Sequence, residues 1–280
     1  MIIDFHTHTF PDKIADAALS KLRAASHTLS FTNGTASGLR ESMKEASIDW
    51  SVVLPVATNP LKVESINDLS AALTERDGLV YFGCIHPDME NPKEEIARIA
   101  RMGLKGIKIH PVYQGVDIDD IRFLRILDAA AEHNLIVVTH NGDDIGFPSV
   151  VHCTPQMARN ALKQVGSVKL VLAHMGGWKN WESVVEALLD TSVYLDTAFS
   201  LGALVQSEPR HYSPEEERLL SEEDFCALVR AFGAQRILFG TDSPWSDQKK
   251  EVEAISALPL TADEKKRIFS ENAKQLLWKN

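Results

Sequence analysis

The chain has 280 residues, of which 44% are hydrophobic and 24% charged, and a formal net charge of −10. This is the composition of a globular protein with a sizeable core, and an acidic chain without a Lys/Arg cluster lacks the basic face that a nucleic-acid partner requires. Cys84, Cys153 and Cys226 are scattered and show no Cys-x-x-Cys spacing, and no apolar stretch approaches the ~20 residues of a membrane span or resembles an export leader, so a cytoplasmic protein without disulfides or membrane contact is expected.

Short runs rich in Val, Ile and Leu recur at residues 2–8, 50–57, 79–86, 104–110, 135–140, 169–174, 193–198 and 236–242. Each is followed by a polar or Gly/Pro turn and then a helical pattern, the alternation of βα units around a parallel sheet. Eight such units predict an α/β protein of the (β/α)8 TIM-barrel type, formed as a single domain over residues 1–280. Helices are predicted over residues 119–133, with Ile121, Leu124, Ile126, Leu127 and Ala130 inward, and over 178–189 and 221–232. Thr261, with Glu264 three residues on, is a capping box that opens the last helix, which runs through Ile268 to Leu277. Residues 202–217, with Pro209 and Pro214, form a long loop of the kind that is either functional or mobile.

The ends of the runs carry the chemistry. His6-Thr7-His8 closes the first, and residues two apart on a strand point the same way, so both imidazoles can reach one metal ion. Four other runs end in His110, His140, His174 and Asp242. In a closed barrel Asp4, His6 and His8 share inward parity, as do Lys108 with His110, Val138 with His140, Leu172 with His174 and Gly240 with Asp242. Ile107, Ile109, Val137, Thr139, Val171 and Ala173 then face the helices. Several strands that each deliver a ligand at the C-terminal end describe one shared site.

Asp4-Phe5-His6-Thr7-His8, Gly106-Ile107-Lys108-Ile109-His110-Pro111, Thr139-His140-Asn141-Gly142, Leu172-Ala173-His174-Met175-Gly176-Gly177, Phe239-Gly240-Thr241-Asp242-Ser243-Pro244 and Glu271-Asn272-Ala273 follow one another from end to end. In this set the chain resembles the amidohydrolase superfamily, and within it the branch that includes aminocarboxymuconate-semialdehyde decarboxylase and many TIM-barrel metal-dependent hydrolases. The resemblance implies that His6, His8 and His140 bind a divalent ion and that Asp242 completes the site and takes a proton from the metal-activated water. Imidazoles with one carboxylate suit Zn²⁺ best, and Mn²⁺, Fe²⁺ or Ni²⁺ tolerate the same donors.

His174 has two readings in the superfamily, ligand of a second metal or acid/base toward the substrate. Lys108 lies two residues below the tip held by His110, so one metal, an uncarboxylated Lys108 and a catalytic His174 are expected beside the catalytic Asp242. Substrate-binding positions are His110, Tyr113, Trp178, Trp245 and Arg210, with Phe147, His211 and Tyr212 at the same rim. The expected activity is hydrolysis of a C–N or C–O bond in a small molecule. The alternative is metal-dependent, non-oxidative decarboxylation of a small carboxylic acid. Some decarboxylases of the branch carry Glu-x-His where this chain has His6-Thr7-His8, which disfavours that subgroup alone. A catalytically silent binding barrel would require a lost ligand, and none is missing. A homo-oligomer is compatible with the sequence.

Overall fold

The computed structural model describes residues 1–279 and contains nine short strands: β1 (Ile3–Thr7), β2 (Trp50–Val53), β3 (Leu79–Tyr81), β4 (Gly83–Cys84), β5 (Gly106–Ile109), β6 (Ile136–Thr139), β7 (Lys169–Leu172), β8 (Tyr194–Asp196) and β9 (Ile237–Leu238). Every expected run holds a strand, and the third holds two because Phe82 leaves strand geometry between β3 and β4. The strands are shorter than the runs. β5, β6 and β7 stop at Ile109, Thr139 and Leu172, so His110 and His140 stand just past their strands and His174 opens the 3-10 turn His174–Gly176. No helix among the described residues is long and apolar enough to cross a membrane.

The chain forms two compact units, one of Met1–Val53, Ile145–Pro148 and Asp196–Asn280 and the other of Leu54–Asp144 and Ser149–Leu195. In the first unit β1 pairs in parallel with β2, Ile3 opposite Trp50 and Thr7 opposite Val53, with a register shift between. Along β1, Phe5 N–H donates to Phe239 O at 2.7 Å, and Asp242 N–H donates to His6 O at 2.8 Å. Phe5, Phe225 and Phe239 are fully buried in the apolar core of this unit.

The helix Glu222–Phe232 starts where expected, with the Ser221 hydroxyl accepting from Asp224 N–H at 3.1 Å. The capping box is also present, with Glu264 N–H donating to Thr261 Oγ1 at 3.2 Å and Thr261 N–H to Glu264 Oε2 at 2.7 Å. After one π turn (Arg267–Glu271), the helix Asn272–Trp278 is pinned by Asn272 Nδ2, which donates to Ala234 O and Ile237 O at 2.7 and 2.6 Å. Residues 202–217 are hydrogen-bonded rather than structureless, Leu204 N–H donating to Glu217 O at 3.0 Å and Leu219 N–H to Gly202 O at 2.9 Å.

In the second unit β4, β5, β6, β7 and the start of β8 form a parallel ladder, in which Lys108 lies opposite Cys84 and Val138, and Leu172 opposite Leu195. β5 and β6 are buried throughout, which is why these runs read as continuously apolar rather than alternating. The helix Ile121–Glu132 has Asp120 as its N-cap and buries Phe123, Leu124, Ile126, Leu127, Ala129 and Ala130. Ile121, expected inward, is 56% exposed. As the first helical residue its side chain tilts past the end of the buried face.

The helix expected over residues 178–189 forms only in its second half. Lys179 takes a left-handed φ of 60°, so only a 3-10 turn (Trp181–Ser183) and a short helix (Val184–Leu188) form.

Candidate active site

In the first unit, β1 presents His6, the loop after it His8, and the loop after β9 Asp242. His6 Nε2 and His8 Nε2 are 3.1 Å apart, His8 Nε2 and Asp242 Oδ1 3.1 Å, and His6 Nε2 and Asp242 Oδ1 3.5 Å. Donors that share one tetrahedral ion at bond lengths of ~2.0–2.1 Å stand about 3.3 Å apart, so this triangle has the size of a metal-binding face. Two imidazoles and a carboxylate are also the donor chemistry that divalent transition metals take.

Behind the triangle His6 Nδ1 meets Asp196 Oδ2 at 2.8 Å, with both side chains buried. A carboxylate on the far ring nitrogen holds the proton there and leaves Nε2 as the lone-pair donor. Asp196 lies at the end of β8 and was not singled out by the sequence. The strand-end parity that marked His6 and Asp242 applies to it equally.

Asp4 is fully buried and organises the next layer. Its carboxylate accepts from His6 N–H (3.1 Å), Thr241 N–H (3.0 Å), Thr241 Oγ1 (2.5 Å) and Gln248 Nε2 (2.7 Å). Burial pushes its pKa up to about 7, against the lowering effect of these bonds. Gly240 allows the close approach, because a Cβ there would sit 2.9 Å from His6 Cβ. Asp242 has a left-handed φ of 64°, the strained backbone that recurs at functional positions. Trp245 follows, its N–H donating to Asp242 O at 2.8 Å, and with Phe31, Phe199 and Leu219 it lines a cavity of about 190 Å³. Arg210 is exposed, and Phe147 is 45% exposed.

In the second unit His110, His140, Asp144 and His174 come together. His140 Nδ1 lies 3.0 Å from His174 Nε2, and His140 Nε2 lies 3.0 Å from Asp143 O. His110 stacks on Tyr113 (centroids 3.9 Å) and on His140 (4.3 Å), and its Nε2 is 3.5 Å from Asp144 Oδ2. One donor atom each of His110, His140 and Asp144 lies within 4.8 Å of the others.

Local sequence explains the placement. His110 caps the short helix Pro111–Gln114, and Gln114 is a three-way brace, its Oε1 accepting from His110 N–H at 2.9 Å while its Nε2 donates to Ala57 O and Ile85 O at 3.0 and 2.6 Å. Gly142, at φ 93°, lets Trp178 pass so closely that any Cβ would strike its backbone at 2.2 Å. Trp178 is thereby buried, with its N–H donating to Asn141 O at 2.8 Å. His174 and Met175 both take left-handed φ values, 60° and 52°. Asp144 was not anticipated, because a loop carboxylate carries no periodic signal.

The model of the amidohydrolase family matches residues 3–278, nearly the whole chain. The chain belongs to the amidohydrolase family. It is therefore an enzyme-family chain with the fold class of a (β/α)8 barrel, as the strand–helix alternation predicts.

Solved structures agree on the fold. An uncharacterised TIM-barrel protein from Bordetella bronchiseptica is 18% identical with a TM-score of 0.77, over 99% of this chain and 98% of that chain. A 5-carboxyvanillate decarboxylase from Novosphingobium aromaticivorans, complexed with manganese and 4-hydroxy-3-methoxy-5-nitrobenzoic acid, is 17% identical with a TM-score of 0.68, over 99% and 96%. A dihydroxybenzoic acid decarboxylase from Polaromonas sp. JS666, with bound manganese and the inhibitor 2-nitroresorcinol, is 14% identical with a TM-score of 0.69, over 99% and 96%. Among curated protein sequences none matches.

Proposed function

We propose that this chain is a metal-dependent, non-oxidative decarboxylase of a small aromatic carboxylic acid. The single observation that carries the metal centre is the triangle of His6 Nε2, His8 Nε2 and Asp242 Oδ1, with edges of 3.1–3.5 Å. What favours decarboxylation over the hydrolysis expected from sequence is that the similar structures with stated activities above are decarboxylases of hydroxylated benzoic acids, matched over nearly their whole length.

In this reading His6, His8 and Asp242 hold the ion, with His140 the further ligand that the family resemblance implies. A divalent ion held there would supply positive charge to orient and neutralise the substrate's oxygens. Zn²⁺ and Mn²⁺ both accept this donor set, and manganese occupies the two decarboxylases. Asp196 keeps the His6 proton on Nδ1. As the bond from the ring to the carboxyl carbon breaks, CO₂ leaves and the ring carbon takes a proton, for which His174 is the proposed donor. His110, Tyr113, Trp178, Trp245 and Arg210 are the proposed substrate contacts, and Lys108 stays an uncarboxylated buried amine.

The test is turnover of hydroxybenzoic acids by manganese- and zinc-loaded protein in D₂O and in ¹⁸O-water. CO₂ release with one deuterium in the product ring and no ¹⁸O in the organic product is expected. Label from ¹⁸O-water in a product carboxylate or alcohol, on any substrate turned over, would establish the hydrolase instead.

A further inference from the structure

A third group of ligating side chains lies apart from both clusters above. The helix Asp12–Ser26 ends at His27, which takes a left-handed φ of 49° and donates its N–H to Arg23 O. The long segment after β8 returns to this point. Leu29 N–H donates to Val205 O at 2.9 Å, Ser207 N–H to His27 O at 2.7 Å, and Tyr212 Oη to Ser26 O at 2.6 Å. On that frame the His27 and His211 rings stack, with centroids 3.6 Å apart and planes 16° from parallel, and Glu208 Oε1 lies 3.8 Å from His27 Nδ1. One donor atom from each of the three lies within 4.8 Å of the others. His27 Nδ1 is buried without a hydrogen-bond partner among the described residues, although buried ring nitrogens are ordinarily satisfied.

We infer that His27, Glu208 and His211 form a second, non-catalytic site for a divalent transition-metal ion, which ties the segment after β8 to the end of the first helix. Two imidazoles and a carboxylate are borderline donors that select Zn²⁺-like ions over Ca²⁺ or Mg²⁺, which require several more oxygens. The 3.8 Å gap from nitrogen to carboxylate is too long for a hydrogen bond, and only a few tenths of an ångström wider than the ~3.3 Å between two ligands of one zinc. Glu208 and His211 are exposed, so rotation of Glu208 closes the gap, and rotation of His211 out of the stack turns its ring nitrogen toward the same ion. This site needs no residue of the proposed catalytic centre, so it stands or falls separately.

The experiment uses the full chain loaded with manganese, then dialysed against Zn²⁺. Bound zinc is counted by elemental analysis in the wild type and in His27→Gln, Glu208→Gln and His211→Gln. Trypsin cleavage after the exposed Arg210 is timed with and without zinc. The wild type is expected to hold one zinc equivalent more than each variant, and zinc should slow the cut after Arg210 in the wild type alone. Zinc that displaces manganese elsewhere affects all four proteins equally and cancels in the difference. Should His27→Gln fail to fold, the two exposed positions still decide the matter. Equal zinc content in wild type and variants overturns the site, and a difference in content with no change in cleavage overturns the tie.

Discussion

Replacing Asp196 with Asn probes the metal centre without touching a proposed ligand. The carboxylate accepts from His6 Nδ1 at 2.8 Å and, through Oδ1, from Ala198 N–H at 3.1 Å. An Asn that keeps the Ala198 bond turns its NH₂ toward His6, so Nδ1 must become the acceptor and the ring proton moves to Nε2. That proton then points at His8 and Asp242, where the lone pair was needed. Loss of such a partner typically costs 10–100-fold in metal affinity, or ~1.4–2.7 kcal/mol. The shape of the side chain is unchanged, so metal-free Asp196→Asn should melt within a few degrees of the metal-free wild type. Competition against a chromogenic chelator gives the affinity, and calorimetry gives the melting temperature. Unchanged affinity at the same stoichiometry would show that His6 is not a ligand or that Asp196 does not set its tautomer.

Gly240→Ala should lower stability by about 1–3 kcal/mol and weaken metal binding, because its Cβ meets His6 Cβ at 2.9 Å in packed surroundings; urea unfolding and chelator competition measure both. Gln114→Leu keeps the volume but strands two carbonyls and the His110 N–H, so a loss of roughly 2–4 kcal/mol is expected in the same unfolding assay. Cys84, Cys153 and Cys226 are buried and burial pushes all three thiols up, so none should react with a thiol reagent at pH 8 until the protein is unfolded.

Much of the candidate site was legible in the chain because the candidate ligands sit where apolar runs stop. His6, His8, His110, His140, His174 and Asp242 could be picked out that way, and the Thr261/Glu264 cap announced its helix. Asp196 stayed hidden because the apolar run 193–198 continues past it to Ala198, whereas the strand itself stops at Asp196. Asp144 and Gln114 act from loops and short helices, where no period exists to reveal them. The pattern of Val184, Val185, Leu188 and Leu189 extends backward to Trp178, and it masked the left-handed turn at Lys179 that delays the helix. His27 and His211 meet only through tertiary folding, so their partnership has no local trace.

Whether His6, His8 and Asp242 form a metal centre is decided by metal stoichiometry. Manganese bound per chain would be measured after reconstitution and desalting, on protein carrying His27→Gln so that the surface cluster does not contribute. About one ion is expected in that background, and a near-complete loss in His8→Ala and Asp242→Ala, with circular dichroism and melting curves still those of a folded protein. Folded His8→Ala and Asp242→Ala proteins that retain a full ion at unchanged affinity would show that the ion is bound elsewhere.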